Sequence, residues 1–197
     1  MKKIIGFDYE FKSIFNQLLN NNMNNSLLIA GSKGIGKSYF LTLLIEEYIK
    51  KKILNDQLQH HLSLLHSNTH PNIRYIKKEI DEKNKKIKNF ITIDQIRKLN
   101  QFSHETSIIE NIPKFIIIDS ADDMNINASN SLLKILEEPK LNTYFFLISH
   151  QPSLLLATIK SRCLKINLNN HNFNDFSEIL HISNSNIDKE VVKFLFD

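Results

Sequence analysis

Eight consecutive residues, Gly31-Ser32-Lys33-Gly34-Ile35-Gly36-Lys37-Ser38, place glycines, a lysine and a hydroxyl at the spacing G-x-x-x-x-G-K-[ST]. Each residue type has a task in holding phosphate. Glycines, lacking Cβ, let backbone amides curl around an anion, and Ser32, Lys33 and Ile35 add their own amides to the loop. A helix starting at the last glycine points its positive end at the same place. Lys37 can reach β- and γ-phosphates, and the Ser38 hydroxyl can ligate magnesium. The chain has only four glycines, and three of them are Gly31, Gly34 and Gly36. A composition this poor in glycine does not cluster them by accident.

Asp119 ends the apolar run Phe115-Ile116-Ile117-Ile118. A carboxylate there would hold a water of the magnesium shell beside Ser38, so the expected occupant is ATP or ADP with Mg2+. The next residue, Ser120, is a poor base at neutral pH. Asp122 and Asp123 are near in sequence, but a helical turn is expected to aim them elsewhere. His150 follows the next apolar run; it can hydrogen-bond a phosphate or a water, or be a plain loop histidine. His60, His61, His66 and His70 crowd one region and are expected to be solvated loop residues. Pro71 and Asn68 argue against one helix carrying both His66 and His70, so no zinc is expected.

The elements that must position these residues are read from periodicity. Residues 8–21 form an amphipathic helix through Ile14, Leu18 and Leu19. Ser26–Ala30 is a buried strand ending in glycine, and a helix runs from about Gly36 through Tyr48. Asp56–His66 reads as a helix, and Pro71–Ile76 as a strand. Lys77–Asn89 carries nine charged residues among thirteen; it reads as a solvated loop or hairpin, or alternatively as a basic loop that contacts phosphates. Thr92 caps a helix through about Ser103. Strands are expected at 115–119, 144–148 and 164–168, with a helix from Asn127 to Glu138 stopped by Pro139. Strands alternating with helices give an α/β fold with a mainly parallel five-stranded sheet flanked by helices. From about Asn169 the chain turns polar and helical, so residues 1–168 are expected to form one domain and 169–197 the start of a small helical lid.

At 197 residues, 42% hydrophobic and 23% charged, the composition suits a soluble globular protein. Cys163 is the single cysteine, which excludes an internal disulfide and points to a reducing compartment. The start lacks a signal-peptide pattern and no apolar run is long enough for a membrane helix, so a cytoplasmic, membrane-free protein is expected. The net charge of +4 suits a polyanionic partner, although surplus lysine also accompanies the Asn- and Ile-rich bias of the chain.

A second set of motifs narrows the family. Asp119-Ser120-Ala121-Asp122-Asp123-Met124-Asn125 precedes Asn130-Ser131-Leu132-Leu133-Lys134-Ile135-Leu136-Glu137-Glu138-Pro139. Phe145–His150 and Ser161-Arg162-Cys163 follow. This order, with His70-Pro71-Asn72 upstream, resembles the AAA+ P-loop clamp-loader subunits of bacterial DNA polymerase III, and within them the delta-prime type, over roughly residues 4–168. The resemblance implies a subunit that adjoins a gamma/tau motor and a delta subunit. Together these load a sliding clamp onto primed DNA. It also implies that Arg162 is an arginine finger acting in trans on the motor's ATP. Motor subunits carry Glu where this chain has Ser120, Asn or Thr where it has His150, and a Gly-x-x-Arg sensor for which no arginine remains after Arg162. ATP turnover by the chain alone is therefore expected to be weak or absent. A gamma/tau-type motor and, from another class, a nucleoside-monophosphate kinase are the alternatives. The kinase would need more arginines than Arg74, Arg97 and Arg162. The lid and the collar that normally joins such subunits extend further than this sequence, which puts assembly in question.

Overall fold

The computed structural model describes residues 4–53, 55–81 and 85–183. Seven α-helices are described: α1 (Asp8–Leu19), α2 (Lys37–Lys52), α3 (Asn55–His66), α4 (Ile93–His104), α5 (Ile126–Glu137), α6 (Ala157–Lys160) and α7 (Phe173–Ser183). Five strands alternate with them: β1 (Ser26–Ala30), β2 (Ile73–Ile76), β3 (Lys114–Asp119), β4 (Thr143–Ser149) and β5 (Leu164–Asn167). They form one parallel sheet in the order β2-β3-β4-β1-β5. The expected five-stranded fold is the observed one. Of the expected lid, α7 is described, and residues 184–197 lie outside the described residues.

Continuous apolar runs become the central strands because both faces of the sheet are covered. Side chains alternate between two cores, as a period of two requires. Leu27, Ile29, Phe115, Ile117, Phe146 and Ile148 face α1 and α2. Leu28, Ile116, Ile118, Phe145 and Leu147 face α4, α5 and α6. Each of the eleven is at most 1% exposed. At roughly 1.5–3 kcal/mol per fully buried large apolar side chain, these residues outweigh any single polar contact.

Helix starts follow local chemistry. The backbone N–H of Thr92 donates to Gln95 Oε1 at 3.0 Å in the first turn of α4. Asn125 Oδ1 accepts from the Ala128 amide at 2.8 Å and caps α5. In the charged 77–89 segment, of which residues 82–84 lie outside the described residues, Ile80 and Ile87 form an antiparallel bridge and Lys88 pairs with Glu79.

The expectation for the histidines needs correction. His61 and His70 are not solvated: they are 4% and 0% exposed, and His61 Nδ1 lies 3.1 Å from His70 Nε2. The Asn72 amide donates to His70 Nδ1 at 3.2 Å, so the ring proton of neutral His70 sits on Nε2 and is donated to His61. A metal would need that same Nε2 lone pair. Asn72, read as part of a family motif, is a buried staple. Its Nδ2 donates to the Ile109 and Ile112 carbonyls at 2.8 and 2.6 Å, and its Oδ1 accepts from the Ile108 and Ile109 amides. All four hydrogen-bonding positions of the amide are used.

Burial, with His61, Arg74 and His60 adding repulsion, pushes the His70 pKa down to about 4. The unfolded chain therefore takes up a proton near pH 6.5 that the folded chain refuses, and stability falls as pH drops from about 6.5 to about 4. The loss attributable to this site is up to about 3 kcal/mol. Urea unfolding of wild type and His70→Gln at pH 7 and pH 4.5 checks this. The wild type should lose more stability on acidification, and equal losses would remove His70 as the cause.

Candidate phosphate-binding site

Gly31 follows the last residue of β1, Asp119 is the last residue of β3, and His150 follows the last residue of β4. These strands are neighbours, and their register pairs Ala30 with Ser149 and Asp119 with Ile148. The three functional positions thus share one level at the carboxyl edge of the sheet, where ligands of open α/β sheets sit. Lys37 and Ser38 open α2 directly above.

The loop itself needs its glycines. Gly34 and Gly36 have φ of +91° and +94°, in the left-handed region, and a Cβ on either would meet nothing within 4 Å. That open cradle, bordered by an α2 N-terminus whose cap is Gly36, suits a phosphate. At Gly31 the constraint is close approach: a Cβ would lie 2.4 Å from the Leu168 carbonyl oxygen and 2.6 Å from Ile35 Cδ1. Lys37 is buried and its ammonium donates to the Gly31 and Ser32 carbonyls at 2.6 and 2.7 Å. Burial lowers its pKa, while Asp119 and Asp122 pull the other way.

Asp122, which sequence reasoning aimed away from the loop, organises the far wall. It accepts from Ser149 Oγ at 2.6 Å, from the His150 amide at 2.5 Å and from the Gln151 amide at 3.1 Å. This grip fixes the turn carrying His150. Burial lowers the His150 pKa and Lys37 adds to the effect, so the ring is neutral at pH 7. Its Nδ1 is buried without a hydrogen-bond partner among the described residues, a condition that calls for an explanation in a folded protein. Ser120 Oγ donates to Asp123 Oδ2 at 3.0 Å; the position after Asp119 thus carries a hydroxyl, a poor base at neutral pH.

A cavity of about 600 Å³ adjoins the loop, walled by Ile5, Phe7, Ile35, Tyr39, His171 and Ile179. His171 Nε2 donates to the Ile35 carbonyl at 3.2 Å, and its ring lies 4.7 Å from that of Phe7. Nothing in the spacing of these residues singles them out, because they come from the N-terminal segment, the loop, α2, the segment before α7 and α7 itself.

Arg162 is not brought to this site. It precedes β5, and Leu164 of β5 pairs with Leu27 at the start of β1, whereas the loop follows the end of β1. The two lie at opposite ends of the sheet, about 16 Å apart along the strand direction. Arg162 Nη1 donates to the Thr158 carbonyl at 2.9 Å and Nη2 to Glu137 Oε1 at 2.5 Å. Arg74 lies over the Phe102 ring and Arg97 pairs with Asp94. Each of the three arginines thus has its own partner outside the loop.

Residues 8–172 match the family described as DNA polymerase III, delta subunit. The chain is 45% identical over 102 residues to the DNA polymerase III subunit delta' of Pseudomonas aeruginosa, covering 52% of this chain and 29% of that protein. It is 32% identical over 154 residues to subunit delta' of Bacillus subtilis, covering 77% and 44%. The fold resembles a DNA polymerase III gamma subunit-related protein of Thermotoga maritima, with a TM-score of 0.60 and 20% identity over 86% of this chain and 49% of that one. The chain therefore spans less than half the length of each of these three relatives. With its sheet order, its phosphate loop and this match over residues 8–172, the chain belongs to the DNA polymerase III delta-prime subunit family.

Proposed function

We propose that the protein is a clamp-loader accessory subunit that holds Mg-ATP or Mg-ADP at its own loop and donates Arg162 to the ATP of a neighbouring motor subunit. The observation that carries this reading is the separation of Arg162 from the loop across the sheet. A guanidinium there cannot serve the chain's own nucleotide, but it lies where an adjoining subunit's phosphates can reach it.

The residues at the loop fit a nucleotide. The 31–36 amides cradle phosphate, and Lys37 exchanges its carbonyl partners for phosphate oxygens. Ser38 and Asp119 are the residues that would hold magnesium, which neutralises phosphate charge when bound. His150 presents an orphaned ring nitrogen on the opposite wall. The apolar cavity beside Phe7 and Tyr39 has the size and lining for a nucleobase. The residue after Asp119 is Ser120, and a hydroxyl is a poor base for water at neutral pH, so the site holds nucleotide without rapid turnover. Membership of the family supports gamma, delta and clamp partners, and primed DNA, for this reading.

Two measurements test the two halves. Titration of a fluorescent ADP analogue with Mg2+ should show Lys37→Ala weakening binding by at least about tenfold; equal affinities would remove the loop as the nucleotide site. In a clamp loader reconstituted from the same source, Arg162→Ala should lower DNA- and clamp-stimulated ATP turnover on the order of tenfold or more. Unchanged turnover in an intact complex would sink the finger.

A further inference from the structure

Arg162 is held by two partners drawn from different elements. Its Nη1 donates to the Thr158 carbonyl of α6, and its Nη2 donates to the carboxylate of Glu137, the last residue of α5. The side chains of Arg162 and Glu137 are 32% and 48% exposed, so neither is locked by packing. The contact joins residues 25 apart in sequence and spans two helices that otherwise meet through the apolar core. An exposed ion pair adds little to stability. It does remove rotamer freedom from one of the most flexible side chains and, among the described residues, leaves three of five guanidinium N–H groups uncommitted.

We propose that Glu137 is a positioning residue: its carboxylate and the Thr158 carbonyl pre-aim the Arg162 guanidinium for an anionic group presented by an adjoining subunit. This rests on the reading of Arg162 as a finger donated in trans. A charged side chain that must find its geometry anew at each encounter loses rate, whereas one fixed beforehand does not. Glu137 accepts from one edge of the fork, so the group it aims can still engage a phosphate with the remaining donors.

The test uses the reconstituted clamp loader with this subunit as wild type, Glu137→Ala, Glu137→Gln or Arg162→Ala. Glu137→Ala should lower stimulated kcat about three- to tenfold, with KM for ATP, complex assembly and the melting temperature of the subunit unchanged. Glu137→Gln keeps an oxygen that accepts from Nη2 and should restore at least half of the lost rate. The inference is overturned if Glu137→Ala matches wild type while Arg162→Ala does not. It is equally overturned if Glu137→Ala changes only assembly or melting, or if Glu137→Gln is as slow as Glu137→Ala. If Arg162→Ala itself turns over like wild type in an intact complex, the finger reading fails and this inference goes with it.

Discussion

Three adjacent strands, β3, β4 and β1, end at one level, and the chemistry of this domain depends on that alignment. Asp119 beside Ile148, and Ser149 beside Ala30, set a carboxylate, a histidine and a glycine loop along one edge. The alignment is held by side chains, since parallel hydrogen bonds repeat evenly and do not choose a register by themselves. A slip of one residue would turn Phe146 and Ile148 from one core into the other, and Phe145 and Leu147 the opposite way. Both cores are filled, so the slip has nowhere to go. The site is thus as exact as the packing several layers below it.

At the edge the balance changes from burial to charge. Lys37 enters a buried position, which by itself disfavours its ammonium, and two carbonyls plus the field of Asp119 and Asp122 offset that cost. Asp122 is committed three times over to the turn after β4. One carboxylate therefore shapes the wall while its neighbour Asp119 keeps its place at the strand end. Beside them Ser120 donates to Asp123, and those two side chains close on each other.

Much of this was legible in the order of residues. Three of four glycines in one loop, the apolar runs of the three central strands and Pro139 after Glu138 carry the fold and the phosphate cradle, because backbone conformation and strand burial leave local marks. The histidines did not. His61 and His70 looked solvated because their surroundings are polar in sequence, yet α3 packs on the turn before β2 and buries both. Asp122 and His171 were missed for a related reason. Their partners lie 27 and 136 residues away, and no period or spacing announces a contact made only by folding. The same holds for Glu137, whose motif was visible while its hold on Arg162 was not.

The sheet has a loop with glycines at one end and an arginine at the other, and this makes the domain directional. Any contact that joins the arginine end of one such domain to the loop end of another pairs two unlike surfaces, so it cannot be related by a two-fold axis. Contacts of that kind repeat head to tail, closing into a ring where the rotation between neighbours completes a full turn and running on as an open series where it does not. The asymmetry of one domain is thus passed on to whatever is built from it, because each such contact consumes one loop end and one arginine end and never two alike.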